Sequence, residues 1–357
     1  MNDEAQSAED IARFVVASGV APDVSVACAI RRDAWKGEVG GSSEVLFDLA
    51  SVTKPMTAVA IARAGIDLRA PLASLVPEAR GTPSERVPLE LFLSHRAGLD
   101  GHRPLHAPLL HGGTVDVALA LREAADARRP DASGDPPPGG FTPLYSDLGY
   151  VLAGAALARA SGSRDAGEAI ERFVLAPLGL SRAAGTVRGL AAVGIEGPFA
   201  PTEDVPWRGG AVVGAVHDEN AWALTGVGGS GHAGIFATAG AVLAFGRAVL
   251  DSIDGLGGPL GDADLGWTVH ARPGGTLRAG FDGKSAEGSS AGVRMGSLSF
   301  GHLGFTGTSL WVDPDEKVVV VLLTNRVCPT RGNLEIRAAR PKVHDALFGR
   351  AIFLSRG

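Results

Sequence analysis

The spacing of apolar residues changes character twice along the chain. Residues 8–18 carry them at helical intervals and predict an amphipathic helix. Val24, Val26, Cys28 and Ile30 then alternate as one face of a strand, and a second strand is expected over 35–39. From 49 to 62 the period is helical again, with Val52, Met56, Val59 and Ala60 on one stripe. The other faces of that segment are mostly Ala, Ser and Thr, so the helix is expected to be buried all round. Residues 68–86 are irregular and rich in proline. A short helix over 89–95 is expected to close at Gly98. Further helices are predicted over 115–128, 146–160, 164–175 and 238–250, separated by a loop at 100–113 and a glycine-rich stretch at 185–234. After Asp264 strand signals return at 266–270, 297–302, 308–312 and 317–324, with a turn at Asp313-Pro314-Asp315 and a last helix over 334–347.

Strands at both ends with helices between predict an α/β fold of the α+β type. Its antiparallel sheet is built from both chain ends, flanked by helices, beside a mostly helical second lobe. The expected division is one catalytic domain, 1–357, with an α/β lobe at 1–66 plus 255–357 and a helical lobe at 67–254. Hydrophobic residues make up 45% of the 357, enough for a core of that extent. The 33 basic and 39 acidic residues give a net charge of −6 with no basic run, which argues against a nucleic-acid partner. The longest apolar run, 318–323, is strand-length and too short to span a membrane. Cys28 and Cys328 are too few to staple the chain and read as buried small hydrophobes. Met1-Asn2-Asp3-Glu4-Ala5-Gln6 lacks the apolar core of a signal peptide, so a cytoplasmic protein is expected, or an exported one if a leader was trimmed.

Chemistry concentrates in three places. Lys54 is the one charged residue of the buried 49–62 helix, in a chain with five Lys and 28 Arg. Arginine stays protonated and cannot act as a base, whereas burial is expected to push a lysine towards the neutral amine. Ser51 lies three residues earlier, on the same face. Pro55 has no N–H to donate and belongs in the first turn, which puts Ser51 at the helix N-terminus. A serine nucleophile beside a lysine base fits this arrangement. The second place is Tyr145-Ser146-Asp147 at a loop-to-helix junction, holding one of only two tyrosines. There Tyr145 can relay protons near a lysine, or Ser146 or Asp147 can simply cap the helix; Tyr150 reads as core. The third is Gly301-His302-Leu303-Gly304-Phe305-Thr306-Gly307, a strand end where glycine lets a substrate approach and the following N–H can meet a carbonyl oxygen. His217-Asp218-Glu219-Asn220 lacks metal-ligand spacing and reads as a polar loop or helix cap; no metal and no cofactor is expected.

Taken in order, Ser51-x-x-Lys54, Tyr145-Ser146-Asp147 and His302-Leu303-Gly304 give the chain a resemblance to the class C β-lactamase-like serine hydrolases, which include penicillin-binding DD-peptidases, D-aminopeptidases and family VIII esterases. Phe47-Asp48-Leu49-Ala50, 93–99, 177–180 and 231–236 agree, so the likeness covers nearly the whole chain. It implies Ser51 as nucleophile, Lys54 as its base partner, Tyr145 as proton relay, and the N–H groups of Ser51 and Phe305 as oxyanion hole, with Asp147, His302 and Gly304 facing substrate. Whether Lys54 or Tyr145 is the acylation base stays open. The tail 323–331 resembles a bacterial subgroup in which some members are joined to amino-sugar glycosidases, pointing to cell-wall fragments. Two departures bear on substrate. Asp147 stands where β-lactamases carry Asn, and His302-Leu303-Gly304 stands where they carry Lys-Thr-Gly. The cation and hydroxyl that receive an antibiotic carboxylate are missing, and Asp147 is expected to repel one. The resemblance therefore implies an ester or amide hydrolase, acting on a small-molecule or peptide substrate, that prefers uncharged esters or capped peptides. The alternatives are a β-lactamase or DD-carboxypeptidase, and a non-catalytic scaffold on the same fold.

Overall fold

The computed structural model describes residues 6–356; residues 1–5, on which the expectation about a signal peptide falls, lie outside the described residues. Helix α1 (Ala8–Ala17) starts at a capping box in which Ser7 accepts from Asp10 N–H. It leads into strands β1 (Val24–Arg31) and β2 (Trp35–Gly41), as the alternation predicts. A two-residue strand, β3 (Phe47–Asp48), precedes a 3₁₀ turn at Ala50–Val52 and helix α2 (Thr53–Arg63). The helical middle includes α3 (Val117–Asp126), capped by Asp116, and α4 (Asp147–Ser161), capped by Ser146. Two more short strands follow, β4 (Ala184–Gly185) and β5 (Phe236–Ala237), then helix α5 (Ala239–Ile253). The chain ends in β6 (Asp282–Gly283), β7 (Phe300–Leu303), β8 (Ser309–Asp313), β9 (Val318–Thr324) and α6 (Ile336–Ser355).

Six strands form the main sheet in the order β2-β1-β9-β8-β7-β6. Every pairing in it is antiparallel. The first and last thirds of the chain meet in its centre, where Val24 lies opposite Thr324 and Ile30 opposite Val318. Both faces are covered. Val24, Val26, Cys28, Ile30, Val318 and Val320 pack with α1 and α6, while Ala27, Ala29, Val319, Val321 and Leu323 face α5 and the helical middle. That is why β9 reads as an unbroken apolar run rather than an alternation. No helix among the described residues is long and apolar enough to cross a membrane.

Three expectations need correction. The strand expected over 266–270 is a short helix, Gly266–Val269, closed by Asp264 accepting from Gly266 N–H at 2.9 Å and Thr268 donating to the Leu265 carbonyl at 2.6 Å. The apolar pair Trp267 and Val269 still packs on the core, so its period matched a strand by chance. The helix expected over 164–175 is α-helical only at Ala166–Ile170 and continues as a π-turn over Glu171–Leu175. The last helix runs eight residues past the expected end at 347, to Ser355, and carries Pro341 inside it.

Candidate active site

The segment that presents Ser51 is tied down on both sides. Phe47 and Asp48 pair with Ala237 and Phe236 in a small sheet of order β3-β5-β4. Thr306 and Thr308, from the β7–β8 turn, donate their hydroxyls to the carbonyls of Asp48 at 2.7 Å and Leu49 at 2.9 Å. These two bonds bring Gly304 and Phe305 onto the same cavity wall as Ser51. Helix α2 begins at Thr53, so Ser51 sits in the 3₁₀ turn just ahead of it and not in the helix itself. Pro55 is in the first turn, as expected, and Thr53 to Ile61 are all buried.

Lys54 is fully buried, with 0% of its side chain exposed. Its Nζ donates to Ser51 Oγ at 2.7 Å and to Asp147 Oδ1 at 2.7 Å, and reaches the His232 carbonyl at 3.5 Å. Tyr145 lies above it, 4.9 Å from Nζ to the ring centroid. Ser51 and Lys54 both lie close enough to the Tyr145 phenol to favour its ionised form. The Tyr145 ring stacks on His95 at 4.7 Å. His95 in turn accepts the Ser146 N–H at 3.0 Å, which fixes the start of α4 and hence Asp147. Tyr150 is core, donating to the Leu93 carbonyl at 2.8 Å.

The charge state of Lys54 differs from the sequence expectation. Burial does pull Lys54 down, but the Asp147 carboxylate, helped by Tyr145, outweighs it and leaves the ammonium above its usual value. Burial pushes Asp147 up, yet Lys54 wins there too and holds the carboxyl below its ordinary range. The pair is therefore ionised, and Asp147 is Lys54's partner rather than a free charge aimed at substrate. Burial also keeps the Tyr145 phenol above its usual value despite the nearby ammonium. His302 is pushed down to about 3, first by burial and then by Lys54, and its Nδ1 donates to the Leu303 carbonyl at 2.8 Å. It is a neutral ring, 6.0 Å from Tyr145, not a cation.

Of the residues singled out in the sequence, Ser51, Tyr145, Asp147, Gly304 and Phe305 line a cavity of about 470 Å³, while Lys54 and His302 stand behind its lining. The sequence reading missed much of its lining. Asp218 caps the helix Glu219–Thr225, as its polar-cap reading expected, and also lines the cavity while bonded to His232 Nε2 at 2.8 Å. His217 stacks on Phe305 at 5.7 Å. Arg326, Arg331, Arg337 and Arg340 also line the cavity, next to the Gly304–Phe305 segment. Arg331 is matched by Glu203 and Glu219, each at 2.6 Å. Arg326 and Arg340 bond only to carbonyls, Arg340 to those of Gly304 at 2.7 Å and Thr308 at 3.0 Å, and Arg337 forms no ion pair among the described residues. The one signal for this wall was the spacing of 337 and 340 on one face of the last helix. No group of three His, Cys, Asp or Glu among the described residues is placed to hold a metal ion.

The beta-lactamase family profile matches residues 7–343. A protein of Escherichia coli, provisionally named a D-alanyl-D-alanine carboxypeptidase, is 28% identical over 204 residues, 51% of this chain and 45% of its own length. The chain thus spans less than half of that relative. Among solved structures, EstCE1, "a hydrolase with promiscuous acyltransferase activity", superposes with a TM-score of 0.66 at 20% identity, covering 95% of this chain and 96% of its own. A class C beta-lactamase from Rhodobacter sphaeroides superposes with a TM-score of 0.63 at 17% identity, covering 99% of this chain and all of its own (100%). These likenesses in structure share the fold: an antiparallel sheet with helices on both faces. By the match over almost its entire length, the chain belongs to the beta-lactamase family.

Proposed function

We propose that this protein is a serine hydrolase that takes an acyl group from an ester or peptide amide onto Ser51 and passes it to water. The observation that carries this is the 2.7 Å contact between Ser51 Oγ and the fully buried Lys54 Nζ, at the edge of an open cavity. Ser51 Oγ attacks the acyl carbon. Its proton moves to Lys54 as Lys54 releases one to Asp147, so the pair ends as ammonium and carboxylic acid. The Ser51 and Phe305 N–H groups take the negative charge that develops on the carbonyl oxygen. The Tyr145 hydroxyl, beside both Ser51 and Lys54, hands a proton to the leaving group and is replenished through Lys54 from Asp147. Water then repeats the sequence on the acyl-enzyme.

The substrate reading shifts from uncharged esters towards acyl compounds that end in a carboxylate. His302 is neutral, but the wall of Arg326, Arg337 and Arg340 offers three guanidinium groups that no carboxylate of the described chain neutralises. A peptide with a free C-terminus fits that wall, in keeping with the carboxypeptidase name of the Escherichia coli relative.

The test is intact-mass detection of a fluorophosphonate adduct, followed by turnover of p-nitrophenyl butyrate, a D-Ala-D-Ala peptide and a chromogenic cephalosporin. The wild type should gain one adduct and Ser51→Ala none, with the D-Ala-D-Ala peptide, which ends in a carboxylate, turned over at a higher kcat/KM than the uncharged ester. Labelling that survives in Ser51→Ala would move the chemistry elsewhere. A wild type that takes no adduct and turns over nothing would leave the fold as a binding scaffold.

A further inference from the structure

Asp48 stands three residues before Ser51 and is 2% exposed. No Lys or Arg forms an ion pair with it among the described residues, and burying a carboxylate without one is costly. Its oxygens are nevertheless all engaged, each by a different part of the site. Oδ1 accepts the Ala50 N–H at 2.8 Å, and Oδ2 accepts the His217 N–H at 2.7 Å. The main-chain carbonyl accepts the Thr306 hydroxyl at 2.7 Å.

Each bond leads to the acyl-binding wall. Ala50, the residue before the nucleophile, has φ of +46°, a left-handed conformation that a non-glycine residue keeps only when something holds it. His217 stacks its ring on Phe305 at 5.7 Å. Thr306 follows Phe305 directly, so its hydroxyl bond pulls the Phe305 peptide towards the Ser51 turn. Strand β3 has only two residues, and its pairing with β5 alone is a short anchor for such a turn.

We infer that Asp48 is a positioning residue that sets the separation between the Ser51 and Phe305 N–H groups, and through it the strength of the oxyanion hole. The inference rests on the acyl-serine reading above. It also explains why the position holds a carboxylate. Two N–H donors approach two oxygens, and an amide would turn its own N–H groups towards one of them.

The experiment compares wild type, Asp48→Asn and Thr306→Val, with rates referred to active sites counted by fluorophosphonate labelling. The readouts are kcat and KM for p-nitrophenyl butyrate and the inhibition constant of phenylboronic acid, whose boron becomes tetrahedral on a serine oxygen. Loss of a single oxyanion donor costs about 10²–10³ in rate, so a displaced one should cost roughly 10-fold or more in kcat. The boronate should weaken by a similar factor while KM changes little. Thr306→Val, which removes one hydroxyl at constant volume, should show the same pattern to a smaller degree. Variants that melt earlier but keep wild-type kcat and boronate inhibition per labelled site would make Asp48 a fold-holding residue only and overturn the inference. If Asp48→Asn does not fold, Thr306→Val decides on its own. A wild type that fluorophosphonate fails to label is a different result, since it removes the acyl-serine reading and the inference falls with it.

Discussion

At the scale of single residues, Ser51 and Lys54 were legible because their relation is local. Three residues apart around the start of a helix, they share a face whatever the rest of the chain does. The charge on Lys54 was not legible, since it is set by Asp147, 93 residues away in sequence and 2.7 Å away in space. This pairing has a measurable consequence. Asp147 is held below its ordinary value, so its contribution to stability is present above about pH 4 and is lost as pH falls through the lowered value. Lys54 is held above its ordinary value, so its contribution is complete below about pH 10.4 and is lost as pH rises through the raised value. Breaking a wholly buried pair costs about 3–5 kcal/mol. With 24% of the Asp147 side chain exposed, and a stranded amine free to shed its proton, Asp147→Asn should cost about 2–3 kcal/mol at pH 7. Denaturant unfolding across pH checks this: the gap to wild type should be widest between about pH 4 and pH 10 and narrow on acidification. A gap that stays constant down to strongly acid pH would place its source outside the pair.

At the scale of elements, the β7–β8 turn does more than its sequence suggested. Gly301 to Gly307 reads as a tight turn with room for a substrate, and in the structure it also clamps the segment that carries Ser51. Gly304 is the tight point. A Cβ there would lie 2.0 Å from Thr308 Oγ1 and 2.5 Å from the Leu49 carbonyl oxygen, the two atoms of the bond that joins turn to nucleophile segment. Gly304→Ala must push them apart, and overpacking of this kind costs about 1–3 kcal/mol. The expected outcome is a lower unfolding midpoint together with a loss of esterase kcat. A variant with reduced stability but intact kcat would show that the clamp serves the fold alone. The strands and helices that the periodicity found are those with their own local signals, such as the caps at Ser7, Asp116 and Ser146. The two-residue strands β3, β4, β5 and β6 have no such signal, because a pair of residues carries no period.

At the scale of the whole molecule, the sum of charges misleads. The chain is net acidic at −6, yet the cavity beside Ser51 is lined in part by four arginines drawn from 326 to 340. Three of them are not neutralised by a carboxylate, and buried or clustered like charges favour a counter-charge from a ligand. Arg337, which carries no ion pair among the described residues, is the one to test. Arg337→Glu should lower kcat/KM for a peptide ending in a free carboxylate by roughly 10-fold or more, as expected for losing a charge-assisted contact worth about 1.5–3 kcal/mol. The same peptide capped as an amide should be little affected. An equal loss on both substrates would show that the wall does not read the carboxylate.

The sequence alone determined the class of fold, the antiparallel sheet drawn from both chain ends, and the candidate nucleophile with its lysine and tyrosine. Each of these rests on short-range information: a period of two or 3.6, a proline in a first turn, a motif four residues long, and three such motifs in a recognisable order. The tertiary structure decided the rest. The ionised Lys54–Asp147 pair, the hub at Asp48 and the arginine wall all depend on which distant residues meet. Electrostatic states and burial are properties of neighbours in space, and those neighbours lie up to hundreds of residues apart along the chain, as with Asp48 and Thr306, separated by 258.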